Sequence, residues 1–385
     1  MKSLPILITF AALAAYSAPL TPMIPQCTIE EPNHENAFNI SGFTGPFPKV
    51  LSKPTGKYGV GVFYHNLVDV TRNISIAGTP TPRLMELIVF YPTDQPLKAT
   101  TQPQYISDYH WQNIAENYHI SKSVASINVS HWATERAPPS KVGKLPVLLF
   151  SHGTGVPVEE YTTLCQDIAS TGRVVIQITH SGFAVSTPLQ DDLKTYLNCT
   201  YTYSGASHYD PLSKEYSDFM TAKCGPLLID KMQSVFENDI RFVLDNVQTI
   251  PWSPLTSIMD LETIGVSGHS IGGMAATSVS KSHQYANVKF GLNFDGGPIS
   301  FGNDSEGIQK ITFKHFVSDS TIRLMSAFVP NVTAITPESV TNEFQTVIPD
   351  SLHTDFQIDT TFLKDFTVAR DIHCKTMDFI ETHLK

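Results

Sequence analysis

A serine flanked by glycines, Gly-His-Ser-Ile-Gly-Gly at Gly268–Gly273, is where this sequence first points to chemistry. It closes an apolar run, "TIGVSG", and opens a stretch of small, helix-compatible residues, "MAAT". A serine on a strained strand-to-helix turn presents its hydroxyl above the edge of a sheet, and glycines on either side let the backbones approach closely. A hydroxyl is a weak nucleophile at neutral pH, so Ser270 needs a histidine to take its proton and an acid to orient that histidine. In strand–elbow–helix hydrolases the three follow in the order serine, acid, histidine.

The histidines after Ser270 are His283, His315, His353, His373 and His383. The pattern places His283 in the helix after the elbow, His315 in a strand, and His373 and His383 in the last helix. His353, in "PDSLHTDF", is left in a loop just after the last strand, free to swing over Ser270. Two acids end strands at the same sheet edge: Asp295 after "KFGLNF" and Asp319 after "TFKHFVS". Asp355 is too near His353 along the chain to serve. Topology alone leaves Asp295 and Asp319 equal. An oxyanion needs backbone donors. The N–H of Ile271 is one; the other is the N–H of Thr154, in the glycine turn "SHGTG" at the end of the strand "KLPVLLF".

The elements that must position these groups are legible as periodicity. Near-continuous apolar runs at "KLPVLLF", "RVVIQITH", "TIGVSG" and "KFGLNF" read as central parallel strands covered on both faces. Helical patterns separate them: "EEYTTLCQDIAS", then "LLIDKMQSVFENDIRFVLDNV", with Met232, Val235, Phe236, Ile240, Val243, Leu244 and Val247 on one stripe, and "VARDIHCKTMDFIETHL" at the end. Two earlier strands, "GKYGVGVFYHNLVDV" and "RLMELIVFYPT", read as antiparallel neighbours, and residues 95–144 as irregular, with one helix near Trp111–Tyr118. The expectation is an α/β fold, a mostly parallel doubly wound sheet flanked by helices. It divides into residues 1–18 as a signal peptide, 19–54 as an extended arm, and 55–385 as one domain with a lid-like, Tyr-rich insertion at about 186–224.

The signal peptide is expected from Lys2, the apolar run Leu4–Ala15 and small residues before Pro19, with cleavage near Ser17 or Ala18. Secretion agrees with acceptor sequons at Asn39, Asn73, Asn128, Asn198, Asn303 and Asn331. The chain has 5 cysteines, which allows two disulfides and one free thiol. Cys165, inside an apolar helical pattern, is expected free; Cys199 with Cys224 and Cys27 with Cys374 are the expected pairs. Of 385 residues 41% are hydrophobic and 16% charged, ample for a sizeable core, and the net charge of -10 argues against nucleic-acid partners. The short leader is too short to span a membrane and no transmembrane segment is expected, and neither CxxC motifs nor histidine clusters suggest a metal or cofactor.

Several pieces together resemble the platelet-activating factor acetylhydrolase family, of the plasma and intracellular type II kind: "GKYGVGV", "LPVLLFSHGTG", the passage from "DIAS" to "RVV", "GHSIGG", "LNFDGG" and "LHTDF", spread over residues 55 to 360. The resemblance implies an α/β-hydrolase that cleaves short-acyl esters, including the sn-2 ester of a phospholipid, without calcium. It implies Asp295 as the acid, because the family's acid follows the strand next after the elbow, and Thr154 and Ile271 as the oxyanion positions. The chain departs from the family at Trp111–Trp132, which is mostly polar where lipoprotein-binding members carry apolar helices, so docking on lipoproteins or membranes is not expected. The alternatives are a secreted lipase or cutinase-like polyester hydrolase, whose elbows share the pattern, and a non-catalytic binding protein on a hydrolase scaffold.

Overall fold

A computed structural model gives the architecture. It describes residues 29, 33–40, 43–117, 129–191, 193–194, 229–296, 311–321, 345–351, 353–356 and 366–385. The stretch expected as an extended arm carries an antiparallel hairpin, β1 (Asn33–Ile40) and β2 (Phe43–Val50). The remaining strands are β3 (Gly59–Ile76), β4 (Thr79–Thr93), β5 (Ala133–Glu135), β6 (Leu145–Ser151), β7 (Val174–His180), β8 (Met259–His269), β9 (Val288–Phe294), β10 (Thr312–Ser318) and β11 (Gln345–Ile348). Among the described residues they form one 9-stranded sheet in the order β11-β10-β9-β8-β6-β7-β4-β3-β5. β4 runs antiparallel to both β3 and β7, while β7, β6, β8, β9, β10 and β11 are mutually parallel.

The parallel strands are apolar throughout because each face meets a helix layer. In β6, Val147 and Leu149 belong to the core under α3 (Ile229–Asn246) and α4 (Ile271–Ser280), where Phe236, Ile240, Val243, Ala275 and Val279 are buried. Leu148 and Phe150 point the other way, into the core of α2 (Thr162–Ser170) and α5 (Phe366–His383). The period of two along a strand thus fills both layers at once. The helix expected near Trp111 is α1 (Asp108–Asn117), with Trp111 and Ile114 buried. One sequence expectation fails: α4 stops at Ser280, so His283 lies in the turn beyond it rather than within the helix.

A buried polar cluster ties β4, β6, β7 and α3 together. The Arg83 guanidinium, 1% exposed, donates to Asp239 on α3, which also pairs with Arg72 at 2.9 Å. His180 gives Nδ1–H to Asp239 Oδ2 at 2.7 Å, and its Nε2 accepts from Ser151 Oγ at 2.7 Å. Burial first, then the two arginines, keeps the His180 ring below its ordinary pKa and neutral, which fixes that direction of donation. Residue types match those of a serine–histidine–aspartate relay, yet Ser151 is buried, so this one anchors strand ends.

The expected lid, about 186–224, falls mostly on residues 195–228, outside the described ones, as do the signal peptide, Cys27, Cys199, Cys224 and the sequons at Asn128, Asn198, Asn303 and Asn331. Cys165 is buried and carries no disulfide, whereas Cys374 is disulfide-bonded. Asn73 lies exposed on β3. Among the described residues no helix is long and apolar enough to cross a membrane.

Asp239→Asn would leave the buried Arg83 charge without its partner, an expected loss of about 3–5 kcal/mol. A urea titration reads this as a lower unfolding midpoint; an unchanged midpoint would remove the cluster from the account of stability.

Candidate active site

Ser270 sits between β8 and α4 at φ 56° and ψ −125°, a conformation that side-chain-bearing residues rarely adopt. Its N–H donates to Phe294 O at 2.9 Å, across to the neighbouring strand β9. The glycines are required by contact. A Cβ on Gly272 would stand 2.3 Å from Ser151 O, and one on Gly268 2.5 Å from the backbone of Gly272. Only bare backbone lets β6, β8 and α4 come this close.

Asp295 and His353 converge on the serine. His353 lies on a single 3-10 turn, His353–Phe356, and its Nε2 is 3.0 Å from Ser270 Oγ. Its Nδ1 is 2.8 Å from Asp295 Oδ2. Asp295 also takes a positive φ, 53°, which turns its side chain back along the sheet edge. There its carboxylate accepts from Ser318 N and Oγ at 2.8 and 2.6 Å and from Thr321 Oγ1 at 2.8 Å. Burial alone would raise the Asp295 pKa; the His353 hydrogen bond and charge, with Ser318, outweigh it and bring the carboxyl down to about 2. It is therefore ionised at neutral pH.

The other sequence candidates lie elsewhere. Asp319 follows β10, where its N–H reaches Ser351 Oγ at 3.4 Å. Asp355 is buried in the turn of His353. His315 is buried in β10, and burial, with Lys281, pushes its pKa down to about 4. His373 pairs with Asp167 at 2.6 Å, and the His383 ring packs on Phe379 at the end of α5.

The loop after β6 closes over the nucleophile: a Cβ on Gly153 would lie 3.2 Å from Ser270 Cβ. Gly153 N–H is taken by Tyr161 Oη at 3.3 Å and Gly155 N–H by Phe183 O at 2.9 Å. Between them, the Thr154 N–H makes no hydrogen bond among the described residues. His152 sets its direction. The ring is fully buried and, by burial and then the nearby His180, held well below its ordinary pKa, so it is neutral. Its Nε2 accepts from His180 N–H at 3.0 Å, which leaves the proton on Nδ1 for Gly153 O at 2.6 Å. In a planar trans peptide C=O and N–H point in opposite directions. Anchoring the Gly153 carbonyl against His152 therefore turns the Thr154 N–H the other way. Ile271 is the first residue of α4, where N–H groups lack intrahelical acceptors.

A second chain of bonds, absent from the sequence reading, connects this loop to His353. Gly153 N–H donates to Tyr161 Oη, whose O–H donates to His269 Nδ1 at 2.8 Å, and His269 Nε2–H donates to His353 O at 3.0 Å. Burial, then the neighbouring His353, pushes His269 down to about 3, so its ring stays neutral and each proton has one place to go. The signal was in plain view: His269 is the residue beside the serine in Gly-His-Ser. Its partner Tyr161, more than a hundred residues away, has no sequence mark.

This is the fold of the α/β-hydrolases, with serine, histidine and aspartate arranged as a serine-type site requires. Residues 48–199 match the family model described as platelet-activating factor acetylhydrolase, isoform II, so that stretch of the chain is similar to the family. The matched stretch holds the Thr154 loop and ends before Ser270. A probable 1-alkyl-2-acetylglycerophosphocholine esterase of Arthroderma benhamiae is 28% identical over 153 residues, 40% of this chain and 32% of that one, so the match spans about a third of the relative. Among solved structures, a ferulic acid esterase from Streptomyces cinnamoneus superposes with a TM-score of 0.56 at 19% identity, covering 87% of this chain and 93% of its own. That likeness shows the fold. A dienelactone hydrolase from Anabaena variabilis gives 0.39 at 10% identity over 83% and 99%.

Two substitutions test the geometry. Asp295→Asn is expected to cut kcat by about 10³–10⁴-fold, while Asp319→Asn stays within a few-fold of wild type; equal losses would return the choice of acid to open. Tyr161→Phe keeps the ring tilted against Phe150 but breaks the Gly153–His269 link. It should lower kcat roughly 5–20-fold, the cost of one misplaced neutral hydrogen bond, with little change in KM. A rise in KM at constant kcat would make Tyr161 a substrate contact instead.

Proposed function

We propose that this protein is a secreted serine carboxylesterase of the 1-alkyl-2-acetylglycerophosphocholine esterase kind, acting on short-acyl esters that include the sn-2 acetyl ester of a phospholipid. The observation that carries the reading is the unbroken contact from Asp295 through His353 to Ser270 Oγ, at 2.8 and 3.0 Å. His353 Nε2 accepts the proton as Ser270 Oγ attacks the ester carbonyl, and Asp295 stabilises the imidazolium that forms. The N–H groups of Thr154 and Ile271 hold the oxyanion, each donor contributing a few kcal/mol in the transition state. His353 then protonates the leaving alcohol, and the same ring activates the water that cleaves the acyl-enzyme. No step calls on a metal or cofactor.

Secretion rests on the leader-like N-terminus, the sequons, with Asn73 exposed, and the disulfide at Cys374. Within that reading residues 1–18 are removed, 19–54 lead in, and 55–385 form the hydrolase domain. The pattern of the elbow also suits a lipase or polyester hydrolase, and acyl length separates the two. A scaffold without catalysis would need no such aligned contacts.

A fluorophosphonate probe should label the wild type and not Ser270→Ala, and the variant should lose about 10⁴-fold or more in turnover. Acetyl esters should outrank long-acyl and polymer substrates in kcat/KM; a clear long-chain or polymer preference overturns the short-acyl assignment while leaving the serine mechanism intact.

A further inference from the structure

A cavity of about 410 Å³ lies against the β3–β4 hairpin, between it, α1 and the turn that leads into α2. None of Ser270, Asp295 and His353 lines it. β4 is three strands along the sheet from β8, ~14 Å at the usual interstrand spacing. The volume falls in the range of small-ligand sites, and nothing in the hydrolase mechanism uses it.

Its chemistry is that of an anionic cup. His110 on α1 bonds Glu86 through Nε2 at 2.8 Å and Glu159 through Nδ1. Donating from both nitrogens requires the imidazolium. The ring's pKa, lowered by burial but raised more by Glu159 and then Glu86, stands at about 10. One positive charge thus faces two carboxylates, and Glu135 adds a third from the exposed rim. Two buried polar atoms in the lining have no partner. Glu159, 3% exposed, has Oε2 unbonded, and Gln166, 1% exposed, has Nε2 unbonded. Gln166 is not reversed, because its Oε1 accepts from Trp132 N–H at 3.0 Å. Both atoms are shielded from bulk solvent, and the cup carries an excess of negative charge.

The missing complement is a cation with an N–H for Glu159 and an oxygen for Gln166. Glu159, on the 3-10 turn Val158–Tyr161, and Gln166, on α2, are seven residues apart, about two helical turns or ~10 Å along the axis. A two-carbon amino alcohol with a hydrogen bond at each end spans about 9 Å. Tyr64 and Tyr105 supply ring surface to the same cavity, favourable for an ammonium. A quaternary ammonium has no N–H to give, an amino acid brings a carboxylate that the cup repels, and among the described residues no cluster suits a metal ion. We propose that this cavity is a binding site for a small primary amino alcohol, its ammonium on Glu159 and its hydroxyl on Gln166.

The probe is 2-aminoethanol, titrated at neutral pH against thermal unfolding of the whole protein with Ser270 already capped by fluorophosphonate or replaced by alanine, and with choline chloride at matched ionic strength as control. The capping keeps the outcome independent of the esterase reading. The expected result is a saturable rise in Tm with Kd on the order of 1–10 mM, the range open to so small a ligand, and none with choline. Glu159→Gln should weaken binding at least tenfold and Gln166→Leu about threefold, at the scale of a lost charged and a lost neutral hydrogen bond. Glu135→Gln, at the exposed rim and safe for folding, should weaken it about twofold. A missing or non-saturable shift, an equal shift with choline, or unchanged affinity in whichever of these variants folds would overturn the proposal.

Discussion

Everything at the site depends on one strained backbone position. At φ 56° and ψ −125° Ser270 sits where a side chain is disfavoured, a cost on the order of 1–3 kcal/mol that the surroundings must hold in place. They do so by contact and by hydrogen bonding: the Ser270 N–H is fixed by Phe294 O, and the bare backbones of Gly268 and Gly272 are wedged against Ser151. Relaxing the turn would swing Oγ away from His353 and move the first N–H groups of α4 with it. Nucleophile and oxyanion donor are therefore one rigid unit, set by the packing of β6, β8 and α4.

Around that unit the interior uses neutral histidines as spacers of fixed polarity. His152, His180 and His269 are all fully buried, and burial keeps each ring uncharged. A neutral ring has one donor and one acceptor, so each orients its neighbours in one sense only. His152 aims the Gly153 peptide, His269 joins that loop to His353, and His180 passes the anchoring of Asp239 to Ser151. Charged rings at these positions would need counter-ions, and the buried carboxylates of Asp239 and Asp295 are already committed.

The sheet was legible because parallel strands covered on both faces carry continuous apolar runs, and β6, β7, β8 and β9 show them plainly. Ser270 was legible from its glycines, and His353 by its place after the last strand. The acid was not legible from pattern: Asp295 and Asp319 both end strands at the same edge. What distinguishes them is the positive φ of Asp295 and the Ser318 and Thr321 donors around it, a local geometry that no periodicity encodes. The family resemblance pointed to Asp295 for a reason that the residues alone did not give. His283 was misplaced because helix-compatible residues, Lys281 to Gln284, continue past Ser280 while the backbone turns toward β9. Tyr161 was invisible because its role exists only once α2 packs beside the elbow.

The central claim is that Ser270 Oγ is the atom that takes the acyl group. The most direct measurement is a rapid acid quench during turnover of an acetyl ester, followed by peptide mapping by mass spectrometry. The account predicts a burst of about one leaving group per active site and an acetyl group on the peptide that contains Ser270. Turnover with no acylated peptide, or with the acetyl group on a peptide lacking Ser270, would contradict it.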